Sequence, residues 1–120
     1  MKVHYIGFDI FNTHIKNSYK THQIPEVASV VERSPRILLA GDFNTRPGEP
    51  LIDEFYRRWF EIDLESEYTY PRWPSMDPKK IDYLWTNRPP ALRSADVVDA
   101  FFSNHRMVKG VFAHWIWSAD

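Results

Sequence analysis

The chain has 120 residues, 43% of them hydrophobic and 16% aromatic, which is enough apolar material for the core of one compact domain and too little for two. Its fifteen basic and sixteen acidic residues leave a formal net charge of -1, so no overall positive field attracts a polyanion, and any phosphate or nucleic-acid binding must be local. The absence of cysteine excludes disulfides, thiolate zinc sites and a cysteine nucleophile, so oxygen or imidazole ligands would hold any metal ion.

The N-terminal segment is typical of a β-strand. β-Branched and aromatic residues dominate positions 3–15, and the strand ends with Asn12, Thr13 and His14. The first residues lack the basic and then apolar layout of a signal peptide, and no apolar run in the sequence approaches membrane length. We therefore expect a soluble, cytoplasmic protein.

The next segment predicts an amphipathic helix. Apolar residues recur at helical spacing over positions 24–31, and Thr21 is expected to cap the helix N-terminus. Pro25 has no backbone N–H to donate, so it is tolerated only in the first turn. The helix is expected to end at Ser34 and Pro35, because proline cannot continue it.

A second strand and a second helix follow. Positions 37–40 form a short, unbroken apolar run, which is the pattern of a strand buried on both faces. The polar residues that break this run place Asp42 and Asn44 at the C-terminal end of the strand. A proline-containing loop then leads to positions 51–59, whose apolar residues follow helical spacing.

The second half of the chain predicts a long loop and three strands. Three prolines in positions 68–80 exclude a regular helix or a central strand there, so we expect an ordered loop or a loop with a hairpin edge. Strands are expected over positions 81–86, 95–98 and 108–117. A loop over positions 101–105, which carries Ser103, Asn104 and His105, precedes the last of them.

Four separated segments carry small polar or ionisable residues at predicted strand ends. Any one of them is more often a turn or a surface group than a functional site. Their order and spacing favour function, because such groups converge at the strand ends of α/β sheets. The segments are Asn12-Thr13-His14, Gly41-Asp42-Phe43-Asn44, Ile81-Asp82-Tyr83 and Ser103-Asn104-His105.

In this order the four segments resemble the motifs of the endonuclease/exonuclease/phosphatase family. Within that family the chain is most similar to the small bacterial hydrolases. The resemblance spans nearly the whole chain. It implies an α/β fold that is half of a DNase I-like, four-layer α/β/β/α sandwich, with one mixed sheet and helices on one face. Residues 1–120 would then form a single truncated domain. The implied function is Mg²⁺-dependent hydrolysis of a phosphoester by a nuclease, phosphodiesterase or phosphatase.

The resemblance also implies a role for each catalytic residue. Asp42 would orient or deprotonate the attacking water, and Asn44 would help to fix the water and the phosphate. His14 and His105 would hydrogen-bond the phosphoryl oxygens, with His105 held by Asp82. Such groups supply the activated water and the charge stabilisation that phosphoester hydrolysis requires.

The metal site implied by the resemblance contains Asp42 and Asn104, with Mg²⁺ or Mn²⁺ as the ion. The family has aspartate where this chain has Asn104, and its N-terminal half carries an asparagine and a metal-binding glutamate that have no counterpart here. Two functions therefore remain open. The chain is a hydrolase, or it is a catalytically impaired relative that acts as a phosphate-binding or interaction module.

Purely structural roles are the alternative for several of these residues. Asp42 can cap backbone amides in a tight turn. Asp82 can anchor a buried hydrogen bond. Lys79 and Lys80 are expected in a solvated turn, and tryptophans at strand spacing are expected in the core or an interface more often than stacked on bases.

The last predicted strand has apolar residues on both faces, and both faces must be covered. The chain can supply only about one sheet with its helices. We therefore expect a homodimer packed sheet to sheet through Trp115 or Trp117, or completion by a separate N-terminal half. The substrate is a phosphoester, with nucleic acid as one option.

Overall fold

The computed structural model describes residues 9–62, 68–71, 73, 75–87, 92–98 and 103–112. Within these residues, two α-helices alternate with strands in the first half and strands alone follow in the second. In chain order the elements are β1 (Asp9–His14), a 3₁₀ turn (Asn17–Tyr19), α1 (Lys20–Val31), β2 (Ile37–Asp42), α2 (Pro50–Arg58), β3 (Phe60–Glu61), β4 (Asp82–Thr86), β5 (Leu92–Val98) and β6 (Met107–Phe112).

Four of the strands form a mixed sheet in the order β1-β2-β4-β3. β1 runs parallel to β2, whereas β4 is antiparallel to both β2 and β3. The register places His14 beside Asp42 and Asp42 beside Asp82, so two strand ends and one strand start meet at one edge of the sheet. β5 and β6 form a separate antiparallel pair. A mixed sheet with two helices confirms the α/β class expected from the sequence.

One face of the mixed sheet packs against both helices. The alternate residues Ile37 and Leu39 of β2 and Tyr83 and Trp85 of β4 are fully buried, as the two-residue period of a strand requires. The aromatic rings of this core meet mainly edge to face, which suits their quadrupoles. The helices contribute Ile24, Ala28 and Val31 of α1 and Ile52 and Phe55 of α2, and Ile15, Phe43 and Trp59 complete the core cluster.

The opposite face of the sheet is apolar and only partly covered. Leu38, Ala40 and Leu84 are half-buried, and Ile10, which lies beside Leu38, is 76% exposed. This face therefore has apolar surface that the described part of the chain does not bury. Among the described residues, no helix has the length and apolar character needed to span a membrane.

The start of α1 differs from the sequence prediction. α1 begins at Lys20, directly after the 3₁₀ turn, and Tyr19 occupies the N-cap position, so the prediction that Thr21 caps the helix is wrong. Pro25 lies inside the helix rather than in its first turn. Its missing N–H leaves the carbonyl of Thr21 without the usual partner, and both residues are exposed, so water can take that place.

The other strands and the second helix lie close to their predicted positions. The predicted strand at 37–40 extends to Asp42, and the loop at 68–80 has a hairpin-like bridge between Tyr70 and Lys79. The two-residue strand β3 was not predicted, because it has no periodic pattern. The predicted first and last strands extend beyond the described residues, and the expected interface residues Trp115 and Trp117 lie outside them.

Lys80 is the clearest departure from the expected solvated turn. Its side chain is 8% exposed and forms an ion pair with Glu61, which is 6% exposed. Burial lowers the pKa of the Lys80 ammonium to about 8. The sequence prediction was wrong because the packing of β3 beside β4 brings Glu61, which is distant in the sequence, to the side chain of Lys80. Trp85 is in the core, as expected for a strand residue, whereas Trp73 is 50% exposed.

Candidate functional site

The site begins where β2 ends, and a close backbone approach explains the glycine there. Gly41 lies opposite Thr13 of β1, and a Cβ atom at position 41 would collide with the carbonyl oxygen of Thr13. Glycine alone allows the two strands to come this close. The pairing then continues by one residue and brings His14 beside Asp42.

The turn after β2 hydrogen-bonds one carboxylate oxygen of Asp42 and leaves the other facing the cavity. Phe43 is fully buried in the core, and Asn44 adopts a left-handed conformation with φ of 47°, which asparagine tolerates well. The backbone N–H of Asn44 donates to Asp42 Oδ1 at 2.8 Å, and its side-chain amide donates to the carbonyl of Ile15 at 2.6 Å. The turn-capping role expected as the structural alternative therefore uses Oδ1 and leaves Oδ2 available.

Two histidines face the second oxygen of Asp42. Asp42 Oδ2 lies 3.4 Å from His14 Nε2 and 3.6 Å from His105 Nε2. The other nitrogen of His105, Nδ1, lies 2.8 Å from Asp82 Oδ2. His105 is thus oriented by Asp82 on one side and directs its Nε2 to Asp42 on the other. This arrangement joins residues from β1, β2, β4 and the loop before β6.

The loop before β4, which contains Thr69 and Tyr70, supports both Asp82 and His105. The buried side-chain hydroxyl of Thr69 accepts hydrogen bonds from the backbone N–H groups of Ile81 and Asp82, each at 3.1 Å. The backbone carbonyl of Thr69 accepts a hydrogen bond from the backbone N–H of Arg106 at 2.7 Å. The ring of Tyr70 lies 4.9 Å from that of His105. Thr69 and Tyr70 therefore connect the start of β4 to the loop that carries His105.

These side chains surround an open cavity of about 730 Å³. The predicted residues His14, Asp42, Asn44, Asn104 and His105 line it, while Asp82 lies behind His105. The structure thus brings together all of the residues that the sequence singled out as catalytic.

Lys20 also lines this cavity, although no sequence pattern indicated it as a site residue. Its Nζ lies 3.2 Å from Glu49 Oε1 and 3.4 Å from the carbonyl oxygen of Asn44. These partners are 29 and 24 positions away in the sequence, so only the packing of α1 beside the turn after β2 brings them together. The amine adds a positive charge to the rim of the cavity.

The environment of Asp42 makes its carboxyl group harder to ionise. Burial is the main cause that raises its pKa above the ordinary value of 3.8, and the negative charge of Asp82 adds to the increase. The hydrogen bond from Asn44 N–H and the two histidines act in the opposite direction and offset part of it. A carboxylate with a raised pKa is a stronger base than an exposed one.

The donor atoms at the base of the cavity fit a divalent cation. Asp42, Asp82 and His105 each offer one ligand atom, and these atoms lie within 4.8 Å of one another. The carboxylate oxygens suit Mg²⁺ or Mn²⁺, whereas the imidazole nitrogen is a ligand that Mg²⁺ seldom takes. The amide of Asn104 lines the same cavity and can add a neutral oxygen.

Comparison with protein families gives one match. Residues 18–105 match the family model described as the endonuclease/exonuclease/phosphatase family. The matched range contains Asp42, Asn44, Asp82 and His105, whereas His14 precedes it. No curated protein matches the chain significantly.

Two solved structures resemble the fold. One is a functionally unknown conserved protein from Enterococcus faecalis V583, with 15% identity and a TM-score of 0.61; the similarity covers 85% of this chain and 50% of that one. The other is an endonuclease/exonuclease/phosphatase family protein from Leptotrichia buccalis C-1013-b, with 17% identity, a TM-score of 0.66, and coverage of 88% and 49%. The chain thus has the fold of about half of each of these longer structures.

Proposed function

The chain belongs to the endonuclease/exonuclease/phosphatase family, and on that premise we propose that it is a Mg²⁺-dependent phosphoester hydrolase. The observation that carries the proposal is the position of Asp42 Oδ2, which lies 3.4 and 3.6 Å from two histidine Nε2 atoms in an open cavity. A base and two imidazole donors around one space suit attack of water on a phosphoryl group.

Asp42 acts as the base in this proposal. Asn44 N–H holds one carboxylate oxygen in place, so the other is directed at a water molecule in the cavity. An ionised carboxylate placed against a water molecule can accept the proton that the water loses. The side-chain amide of Asn44 is held by Ile15, so the turn cannot easily rotate.

The two histidines stabilise the negative charge that develops on the phosphoryl oxygens. His105 has its Nδ1 directed at Asp82, and in the doubly protonated ring the second N–H, at Nε2, donates into the cavity. His14, which is 76% exposed, approaches the same space from β1. Lys20 at the rim offers a further positive charge to the incoming phosphate.

Asp42 and Asn104 would hold the metal ion in this proposal, and Asp82 lies close enough to Asp42 to contribute a second carboxylate. The bound cation, Mg²⁺ or Mn²⁺, supplies Lewis-acid stabilisation of the phosphoryl oxygens. Asn104 contributes an oxygen without a charge, so the affinity for Mg²⁺ is lower than an aspartate at this position would give.

Asn104→Asp is expected to tighten Mg²⁺ binding by about tenfold, because it adds one negative charge next to the ion. Calorimetric titration of Mg²⁺ into both proteins measures the change. Asn17→Asp is the matched control, since Asn17 lines the same cavity and gains the same charge at a different position. An equal gain in both variants, or no gain at position 104, would show that Asn104 is not a ligand.

A phosphate-binding module without turnover is the second candidate function. It is favoured by Asn104, which is a neutral amide where the motif of the family has aspartate. Hydrolysis of bis-p-nitrophenyl phosphate and p-nitrophenyl phosphate with Mg²⁺ or Mn²⁺ separates the two functions. Turnover supports the hydrolase, and its substrate preference separates a diesterase from a phosphatase. Calorimetric binding of phosphate without turnover supports the module.

We propose further that the partly covered face of the mixed sheet is completed by a second copy of the chain or by a separate N-terminal half. Ile10 is largely exposed there, and Leu38, Ala40 and Leu84 are only half-buried. An apolar face of this kind favours association, and symmetric dimers are the commonest solution for a self-complementary surface. A cytoplasmic location suits the cysteine-free sequence.

The purified chain is therefore expected to be a homodimer that buries more than about 1,200 Å² in total, the lower bound for a stable interface. Light scattering at micromolar concentration measures the mass. Ile10→Lys, which places a charge on this face, is expected to shift the protein towards monomer. A wild-type monomer of 14.3 kDa with no partner present would rule out the homodimer.

A further inference from the structure

A second cavity lies beside the catalytic one. It has a volume of about 620 Å³, and Arg46 and Lys79 line both cavities. The two cavities therefore share a boundary made of these two cationic side chains. A ligand with its phosphate in the first cavity would reach the second one by passing these two side chains.

Aromatic side chains form one wall of the second cavity. Phe60 is 53% exposed and Tyr56 is 42% exposed, so both rings present surface to it, while Trp59 lies deeper. The hydroxyl of Tyr56 donates to Glu61, which is itself paired with the buried Lys80. Because the charges of Glu61 and Lys80 offset each other, this wall offers ring surface rather than net charge.

An exposed carboxylate now pairs with the cations at the boundary. Arg46 Nη2 lies 2.6 Å from Asp77 Oδ1, and Lys79 Nζ lies 4.0 Å from Asp77 Oδ2. Asp77 is 68% exposed, and exposed ion pairs contribute little stability. A phosphate can therefore replace Asp77 at low cost, and the planar guanidinium of Arg46 is suited to bind it.

We propose that the second cavity binds the nucleotide unit next to the scissile phosphoester, with its base against Phe60 and Tyr56 and its phosphate at Arg46 and Lys79. This inference rests on the proposed hydrolase function and narrows its substrate class to nucleotide-containing phosphoesters. Aromatic walls stack bases regardless of their sequence, and a local pair of cations binds phosphate despite the negative net charge of the chain. A sugar phosphate has no ring to stack and would use the cations alone.

Calorimetric binding of adenosine 5′-monophosphate and ribose 5-phosphate in EDTA tests the proposal. The wild-type chain is expected to bind the nucleotide about tenfold more tightly, the order of one base–aromatic stack. Phe60→Leu keeps an apolar side chain and is expected to reduce this difference severalfold, because only the ring of Tyr56 is left to stack. Arg46→Ala, at an exposed position, is expected to weaken both ligands by a similar factor.

Trp73→Ala is the matched control, because Trp73 is exposed to a similar extent and lines neither cavity. It is expected to change neither affinity. Equal binding of the two ligands by the wild type, a Phe60→Leu variant that keeps the nucleotide preference, or a loss of preference in Trp73→Ala would each overturn the proposal. If Phe60→Leu does not fold, the affinities of the wild type and Arg46→Ala for the two ligands still test the proposal. Equal affinities of the wild type for the two ligands would overturn it.

Hydrolysis of bis-p-nitrophenyl phosphate by the same preparations separates failure of this inference from failure of the proposed function. Turnover together with equal binding of the two ligands refutes the nucleotide cavity and leaves the hydrolase. Ring-dependent binding without turnover supports the cavity and refutes the hydrolase.

Discussion

Asp42→Asn is expected to lower the rate of phosphoester hydrolysis by about 10²- to 10⁴-fold, the usual contribution of a general base. Asparagine has nearly the same shape and can still accept the hydrogen bond from Asn44 N–H, but it cannot take a proton from water. The variant also removes one of the charges available to a metal ion. Initial rates with bis-p-nitrophenyl phosphate at saturating Mg²⁺ measure the effect.

The stability of the same variant shows whether the fold is intact. Folding raises the pKa of Asp42, so the folded protein binds a proton more tightly than the unfolded chain does at this position. Stability is therefore lost as the pH rises from the ordinary value of 3.8 through the raised pKa, and the loss persists at neutral pH. Asp42→Asn lacks this loss and is expected to be at least as stable as the wild type at pH 7 in EDTA.

Thermal denaturation at pH 3 and pH 7 measures this difference. A variant that is inactive but stable supports a chemical role for Asp42. A variant that is much less stable than the wild type at pH 7 would instead indicate that Asp42 serves only to cap backbone amides in the turn. That role is the structural alternative considered from the sequence. A hydrolysis rate equal to that of the wild type would exclude it as the base.

Trp85→Ala is expected to lower the free energy of unfolding by about 3–5 kcal/mol, the range for removing a large aromatic side chain from a core. Trp85 is fully buried and its ring lies 5.2 Å from that of Tyr83 and 5.5 Å from that of Phe55. A domain has only about 5–15 kcal/mol of stability in total, so this variant is expected to be largely unfolded at moderate temperature. Urea denaturation measures the change.

Two control substitutions give this prediction its specificity. Trp73→Ala removes the same side chain from a position that is 50% exposed and is expected to change stability by less than about 0.5 kcal/mol. Trp85→Phe keeps a ring and removes a buried indole N–H that has no hydrogen-bond acceptor in the described part of the chain, so it is expected to cost far less than alanine. A loss below about 1 kcal/mol for Trp85→Ala would mean that the core is not centred on this ring.

The edge of the sheet that carries the candidate site could be predicted from the sequence, because that edge depends on local patterns. An unbroken apolar run ended by glycine identifies β2, and its end places Asp42 and Asn44 without knowledge of the rest of the fold. Asp82 could be placed in the same way at the start of β4. His14 and His105 were placed only as ends of separate segments, and their common position required the resemblance to a family.

Features that depend on long-range packing could not be predicted in this way. Lys80 follows another lysine and precedes a strand, so its pattern is that of a solvated turn, and its burial results from the pairing of β3 with β4. Lys20 belongs to the site only because α1 packs beside the turn after β2. The N-cap of α1 was misplaced because the 3₁₀ turn before it has no sequence signal as strong as Thr21.

Release of p-nitrophenolate from bis-p-nitrophenyl phosphate by the wild-type chain tests the proposed hydrolase most directly. We expect a rate above the buffer rate in Mg²⁺, a return to the buffer rate in EDTA, and a loss of rate in His105→Ala, because this residue joins Asp82 to the cavity. A wild-type rate in Mg²⁺ equal to that of buffer, or a rate that His105→Ala leaves unchanged, would contradict a hydrolytic site built on Asp42 and His105.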